Sequence, residues 1–157
     1  MIYQTQAHFD SFEKFNSHPH GWDVVFSSTA TANYSATLYT SVAQGVIINT
    51  GEFSSATLQR GSAPTGMRTF AVPLAQEEPF LWRGQEVVRG STMIFPVDRE
   101  LFCVNSGGLD IFTLSVEQDV VDRLLASWDL DPLAVFSEAR VGRIAPASEQ
   151  RFYHQLS

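Results

Sequence analysis

Between Trp22 and Val116 the sequence is a succession of short runs rich in β-branched and aromatic residues, many of them closed by glycine, proline, asparagine or serine. WDVVFSS, YSATLYTSVA, GVIINT, SATLQRG, MRTFAVPL, PFLWRG, STMIFPV, LFCVN and LDIFTLSV follow one another in this way. Short runs at close spacing with turn signals between them predict a β-sandwich or barrel. In MRTFAVPL, side-chain alternation puts Arg68, Phe70, Val72 and Leu74 on one face. Pro73 is expected near the strand end, where a missing amide donor is tolerated. FSSTATANYSATLYTS is rich in serine and threonine, which leaves its register weakly specified.

The flanks read differently. FDSFEKF predicts a brief helix carrying Phe12 and Phe15, capped by Asp10 or Ser11. After the strands, Ser115 and Gln118 stand at capping-box spacing, and Val121, Leu124, Leu125 and Trp128 recur at helical spacing. Asp131-Pro132 is a second helix start, an acidic cap followed by proline at the first helical position. A third helix is expected from Pro146, carrying Phe152 and Leu156. It meets the last residue without a stop signal, so the chain is expected to be part of something longer.

Composition narrows the function. The chain has 157 residues, 44% of them hydrophobic, enough for one domain with a sizeable core. Its net charge of −7 and its scattered arginines give phosphate backbones no basic stripe to meet. One cysteine, Cys103, sits in an apolar run, which fits a buried hydrophobe in a reducing compartment. No signal peptide and no bilayer-length apolar segment is evident, so a cytoplasmic location is expected.

Few motifs carry chemistry. His18-Pro19-His20 with Asp23 resembles part of a metal site, but no histidine occurs between 21 and 153, and a solvated loop is expected. No G-x-S-x-G elbow and no phosphate-binding glycine loop occurs. Glu77-Glu78 reads as a loop. More informative are aromatics on the expected strands. Phe70, Trp82, Met93, Phe95 and Phe112 are candidates to line an internal cavity, and Arg60 or Arg68 to grip an anionic ligand by a forked contact. Plain core or surface is the competing reading for each.

GSTMIFPVDREL, positions 90 to 101, resembles the second half of the metal signature of cupin barrels. Gly90 and Pro96 match it, but Asp98 replaces the usual glycine and Leu101 the usual histidine. The wider pattern, ATLQRGSAPTGMRTFAVPL, then FLWRGQEVVRGSTMIFPVDREL, then GGLDIFTLSVEQDVVDRLLASW, resembles the N-terminal sensor domain of AraC/XylS-type bacterial transcription regulators. The segment DPLAVFSEARVGRIAPASEQRFYHQL resembles what precedes their DNA-binding half. The resemblance implies a mainly β fold, a cupin-like β-barrel (double-stranded β-helix) followed by C-terminal helices. The barrel with a short N-terminal helix would fill residues 1–116, and a helical dimerisation and linker segment residues 117–157. It implies a small-molecule effector in a metal-free barrel with no cofactor, and a homodimer formed through the helices. Leu124, Trp128, Phe152 and Leu156 are the expected dimer contacts, unless those faces pack on their own barrel. DNA would be met only through a C-terminal domain absent from this chain. The alternatives are a metal-independent cupin enzyme of isomerase or epimerase type, and a purely structural dimerisation module.

Overall fold

A computed structural model of the protein describes residues 2–19, 21–28, 33–96, 100–138 and 140–156. Strand β1 (Tyr3–Phe9) leads into helix α1 (Phe12–Ser17). Then come β2 (Asp23–Ser28), β3 (Ala36–Ala43), β4 (Val46–Phe53), β5 (Thr57–Ser62) and β6 (Met67–Gln76). A hairpin of β7 (Phe80–Trp82) and β8 (Gln85–Val87) precedes β9 (Ser91–Ile94), β10 (Leu101–Asn105) and β11 (Leu109–Glu117). Helices α2 (Gln118–Ser127) and α3 (Pro132–Phe136), strand β12 (Arg140–Arg143) and helix α4 (Pro146–Leu156) complete the described chain.

The strands form two antiparallel sheets. One runs β1-β3-β4-β11-β6-β9-β12, the other β2-β5-β10-β7-β8. The architecture is mainly β, a cupin-like jelly roll with short C-terminal helices, as the sequence predicts. The apolar inner faces of both sheets supply the core, which includes Phe26, Leu38, Phe53, Met93 and Leu109. Helix α1 closes one part of it. Ser11 caps the helix by accepting from the Lys14 amide at 3.3 Å. Phe15 is thereby turned inward against Phe9 and Phe26, at ring separations of 5.0 and 4.6 Å. Asn16 fastens α1 to β2: its amide donates to the Phe26 carbonyl and accepts from the Phe26 N–H, both at 2.8 Å. The hairpin turns at Arg83 and Gly84, both at positive φ, as a tight two-residue turn between paired strands requires.

Several expectations are corrected. β1, β8 and β12 carry no clear strand signal in the sequence. β12 lies inside the tail read as helical, yet RVGR pairs with β9 and extends the larger sheet. The capping box does not form. Ser115 is still in β11, where its hydroxyl is hydrogen-bonded to Thr69 at 2.8 Å, and α2 begins without a side-chain cap. Asp131 does cap α3, accepting from the Leu133 amide at 2.9 Å. Pro73 is well inside β6, not at its end. It is accommodated because β6 and β11 change register there, at a bulge between Asp110 and Ile111. His20 and Asp98 lie outside the described residues. None of the described helices is long and apolar enough to cross a membrane.

Candidate functional site, a cavity between the sheets

Because the two sheets face each other, the size of their inward side chains decides whether the interior closes. It does not close fully. A cavity of about 70 Å³ remains between β3, β4 and β11 on one side and β2, β5 and β10 on the other. Its wall is largely aromatic and aliphatic, with the rings of Phe15, Phe26, Phe53 and Phe95 prominent. Gly51 is part of that wall for a steric reason. A methyl group there would stand 2.7 Å from the Phe53 ring.

Three uncharged polar side chains interrupt this surface: Asn49, Gln59 and Thr113. Asn49 and Thr113 are directly opposite each other in the β4–β11 register. They are 4% and 8% exposed, so water at the protein surface does not reach them. The Asn49 Oδ1 accepts from Thr40 Oγ1 at 2.7 Å, which orients the amide. Its Nδ2 and the Thr113 Oγ1 have no hydrogen-bond partner among the described residues. The opposite wall differs. Gln59 Nε2 donates to Thr57 Oγ1 at 3.1 Å, and Thr57 donates in turn to the Asn105 side chain.

Cys103 also faces the cavity, and burial pushes its thiol up to about 12. It is held as the neutral thiol, a poor nucleophile. Leu101, at the position where cupins carry a histidine, lies on the same wall and is 6% exposed. A metal ion would meet leucine, phenylalanine and methionine there, and these residues do not fit one. Among the described residues no group of three or more His, Cys, Asp and Glu is placed to hold an ion. The His18 ring packs edge-on against Phe9 at 5.1 Å.

The predicted ligand residues separate into two sets. Met93 and Phe95 line the cavity. Trp82 is fully buried and packs on Phe95 at 5.0 Å, one layer behind the wall. Phe70 and Phe112 point the other way, onto the helices: Phe70 meets Phe136 of α3 at 5.6 Å and Phe112 meets Phe152 of α4 at 5.5 Å. Arg68 shares that outer face. It is 2% exposed and makes a forked contact to Asp122 of α2 at 2.9 and 2.8 Å, with its guanidinium 4.5 Å from the centre of the Phe136 ring. Arg60 is on the surface, paired with Glu100 at 2.6 Å. Neither arginine lines the cavity. Both forks close on carboxylates of the chain itself, which corrects the expectation of an anion grip. Sequence reasoning missed Asn49, Gln59 and Thr113. Asn49 alone carried a local signal, an amide in the middle of the apolar run GVIINT; Gln59 and Thr113 have polar residues two positions away and gave none.

The expected dimer contacts also divide. Leu124 and Trp128 are exposed and share the α2–α3 surface with exposed Val120, Leu130 and Leu133. Phe152 packs on its own barrel through Phe112, because α4 lies against β11 and β6; Tyr153 Oη donates to the Pro73 carbonyl at 2.9 Å. The Leu156 side chain lies outside what is described.

No protein-family profile matches the sequence, and no curated protein matches it in sequence. Solved structures do match in fold. A crystal structure titled as the AraC-like transcriptional activator CuxR aligns with a TM-score of 0.58 at 10% identity, covering 82% of this chain and 52% of that one. Vicilin from hazelnut, Corylus avellana, aligns over 94% of this chain and 52% of its own with a TM-score of 0.38 at 8% identity, too low to carry an argument. The chain thus spans about half the length of the structures it matches. The likeness to the AraC-like activator shows a shared fold.

Proposed function

We propose that the chain is the effector-sensing and dimerisation domain of an AraC-type transcription regulator. In this reading a small molecule occupies the metal-free barrel and controls DNA binding by a helix-turn-helix domain beyond this chain. The reading rests on one observation: the cavity and the C-terminal helices share strand β11, and β6 pairs with it. On β11 the Thr113 side chain faces the cavity while Phe112 next to it packs on α4. On β6, Arg68 holds α2 from the outer side of the same sheet. A ligand that shifts these strands therefore acts on the helices directly, provided it favours one of two arrangements. The exposed apolar side chains of α2 and α3 supply the dimer surface. The shared fold with an AraC-like activator agrees with this reading.

An isomerase or epimerase would need an acid/base pair in the cavity. Among the described lining residues there is no carboxylate, imidazole or phenol, which favours sensing over turnover.

Four tests bear on the proposal. A thermal-shift screen should find a stabilising small molecule, since a ligand at about 100 times its dissociation constant adds about 2.7 kcal/mol. Hydrogen exchange should show the same ligand changing the protection of α2 and α4; a ligand that protects only the barrel would refute the coupling. The coding sequence past Ser157 should continue into helix-turn-helix units, and any other continuation sinks the regulator assignment. Leu124→Glu should convert a dimer to monomer on size exclusion. A dimer that survives it moves the interface elsewhere.

A further inference from the structure

We infer that the cavity takes a small uncharged molecule with a mostly apolar body and one hydrogen-bond-accepting oxygen, held by Asn49 Nδ2 and Thr113 Oγ1. This deepens the sensing reading and rests on it. The family resemblance leaves the effector open, whereas the cavity restricts it in three ways.

Charge is the first restriction. The described wall carries no cation and no carboxylate, and both arginines proposed for an anion are consumed by Glu100 and Asp122. A carboxylate or ammonium entering this space would lose its hydration and gain no counter-charge. The second restriction is polarity. A buried donor without a partner destabilises the protein, and two such groups stand side by side here. Asn49 Nδ2 is an amide nitrogen and can only donate, and the Thr40 bond to Oδ1 fixes the amide in this orientation. The ligand atom beside it must therefore accept. The Thr113 hydroxyl donates to a carbonyl oxygen or accepts from an alcohol, so ketone, aldehyde and alcohol share the required chemistry. A hydrocarbon leaves both groups unsatisfied. Size is the third restriction. The cavity, about 70 Å³, is under half of the ~150 Å³ that admits benzene. The body is accordingly a short aliphatic one.

The test uses the intact chain and a set of compounds of matched shape: butanone, sec-butanol, the alkene with methylene in place of the carbonyl oxygen, propionate and sec-butylamine. Dissociation constants come from NMR titration, with the Asn49 side-chain amide signal as the local readout. Butanone or sec-butanol should bind about three- to tenfold tighter than the alkene, the worth of one or two hydrogen bonds, and should move the Asn49 signal. Binding by butanone alone assigns a carbonyl effector; equal binding by both admits an alcohol. Thr113→Val, which keeps the volume, should erase about three- to tenfold of the butanone affinity and leave the alkene unchanged. If the alkene equals butanone in the unmodified chain, the hydrogen-bonding inference is overturned. If propionate or sec-butylamine binds tightest, the ligand class is wrong while the sensing reading stands. If none of these binds and a broad thermal-shift screen is also silent, both fail.

Discussion

Adjacent residues of β6 and β11 belong to opposite environments, and the side chains on the two faces differ in kind. Facing the helices are Arg68, Phe70 and Phe112, long or aromatic, each matched to a partner: Asp122, Phe136 and Phe152. Facing inward are Thr69, Ala71, Thr113 and Ser115, all small. Of the inward set Thr113, with Ile111 on the same strand, borders the cavity, whose remaining wall is mostly aromatic and aliphatic. Polarity follows the same division. Thr69 and Ser115 satisfy each other at one end of the inner face, whereas Thr113 and Asn49 at its middle do not. The outer face is built for attachment and the inner for occupancy.

The largest expected effect is on the attached face. Arg68→Ala removes a forked pair and a ring contact at a site only 2% exposed, and leaves the half-buried Asp122 carboxylate without its cation. Breaking one partner of a buried pair costs about 3–5 kcal/mol, so chemical denaturation should show a loss of that order. The comparison has a built-in control. Arg60→Ala removes a forked pair from the open surface, and no measurable change in midpoint is expected. Similar losses for both would mean that the outer face of β6 is not a special anchorage.

On the inner face the sign should reverse. Thr113→Val exchanges an unpartnered buried hydroxyl for a methyl of the same size. The unliganded protein should gain roughly 1 kcal/mol, read from the shift in thermal midpoint, while its affinity for the cavity ligand falls. A loss of stability instead would show that the hydroxyl is satisfied in solution, and the contrast between the faces would weaken.

This division also explains what could be read from sequence. The strand runs, the capped α1, the Asp131-Pro132 start and the helix at Pro146 were legible, because each rests on local chemistry: alternation, a cap, a fixed proline φ. Strand β12 was not. RVGR has no strand signature of its own and pairs because β9 offers it an open edge. The cavity residues were misjudged for a related reason. Alternation puts Arg68 and Phe70 on one face, and both do meet the helices, but it does not say which face looks inward, and the bulge beside Pro73 interrupts it before Leu74. Of the side chains expected to line a cavity, Met93 and Phe95 do, whereas Phe70 and Phe112 face the helices. Asn49 and Thr113 became informative only once the register put them side by side. The second signature half likewise predicted wall geometry: Leu101 does face the interior, as an apolar group in a ligand's place.

The smallest expected effect concerns the other charge on the outer side of β11. Asp110 sits at the bulge, partly buried, and no cation is paired with it among the described residues. Burial alone raises its carboxyl above the usual range. A carboxyl whose folded value is raised binds its proton more readily in the native than in the unfolded chain, so stability falls as pH rises through the interval between the two values. Above that interval the ionised Asp110 is a standing cost, and below it the cost is gone. Asp110→Asn should therefore raise the thermal midpoint slightly at neutral pH, by less than Thr113→Val, and leave it unchanged below the ordinary aspartate range. A gain that persists in acid would trace to the amide's own hydrogen bonds. A loss at neutral pH would mean that Asp110 has found a cation, and that the outer face pairs this charge as it pairs Arg68.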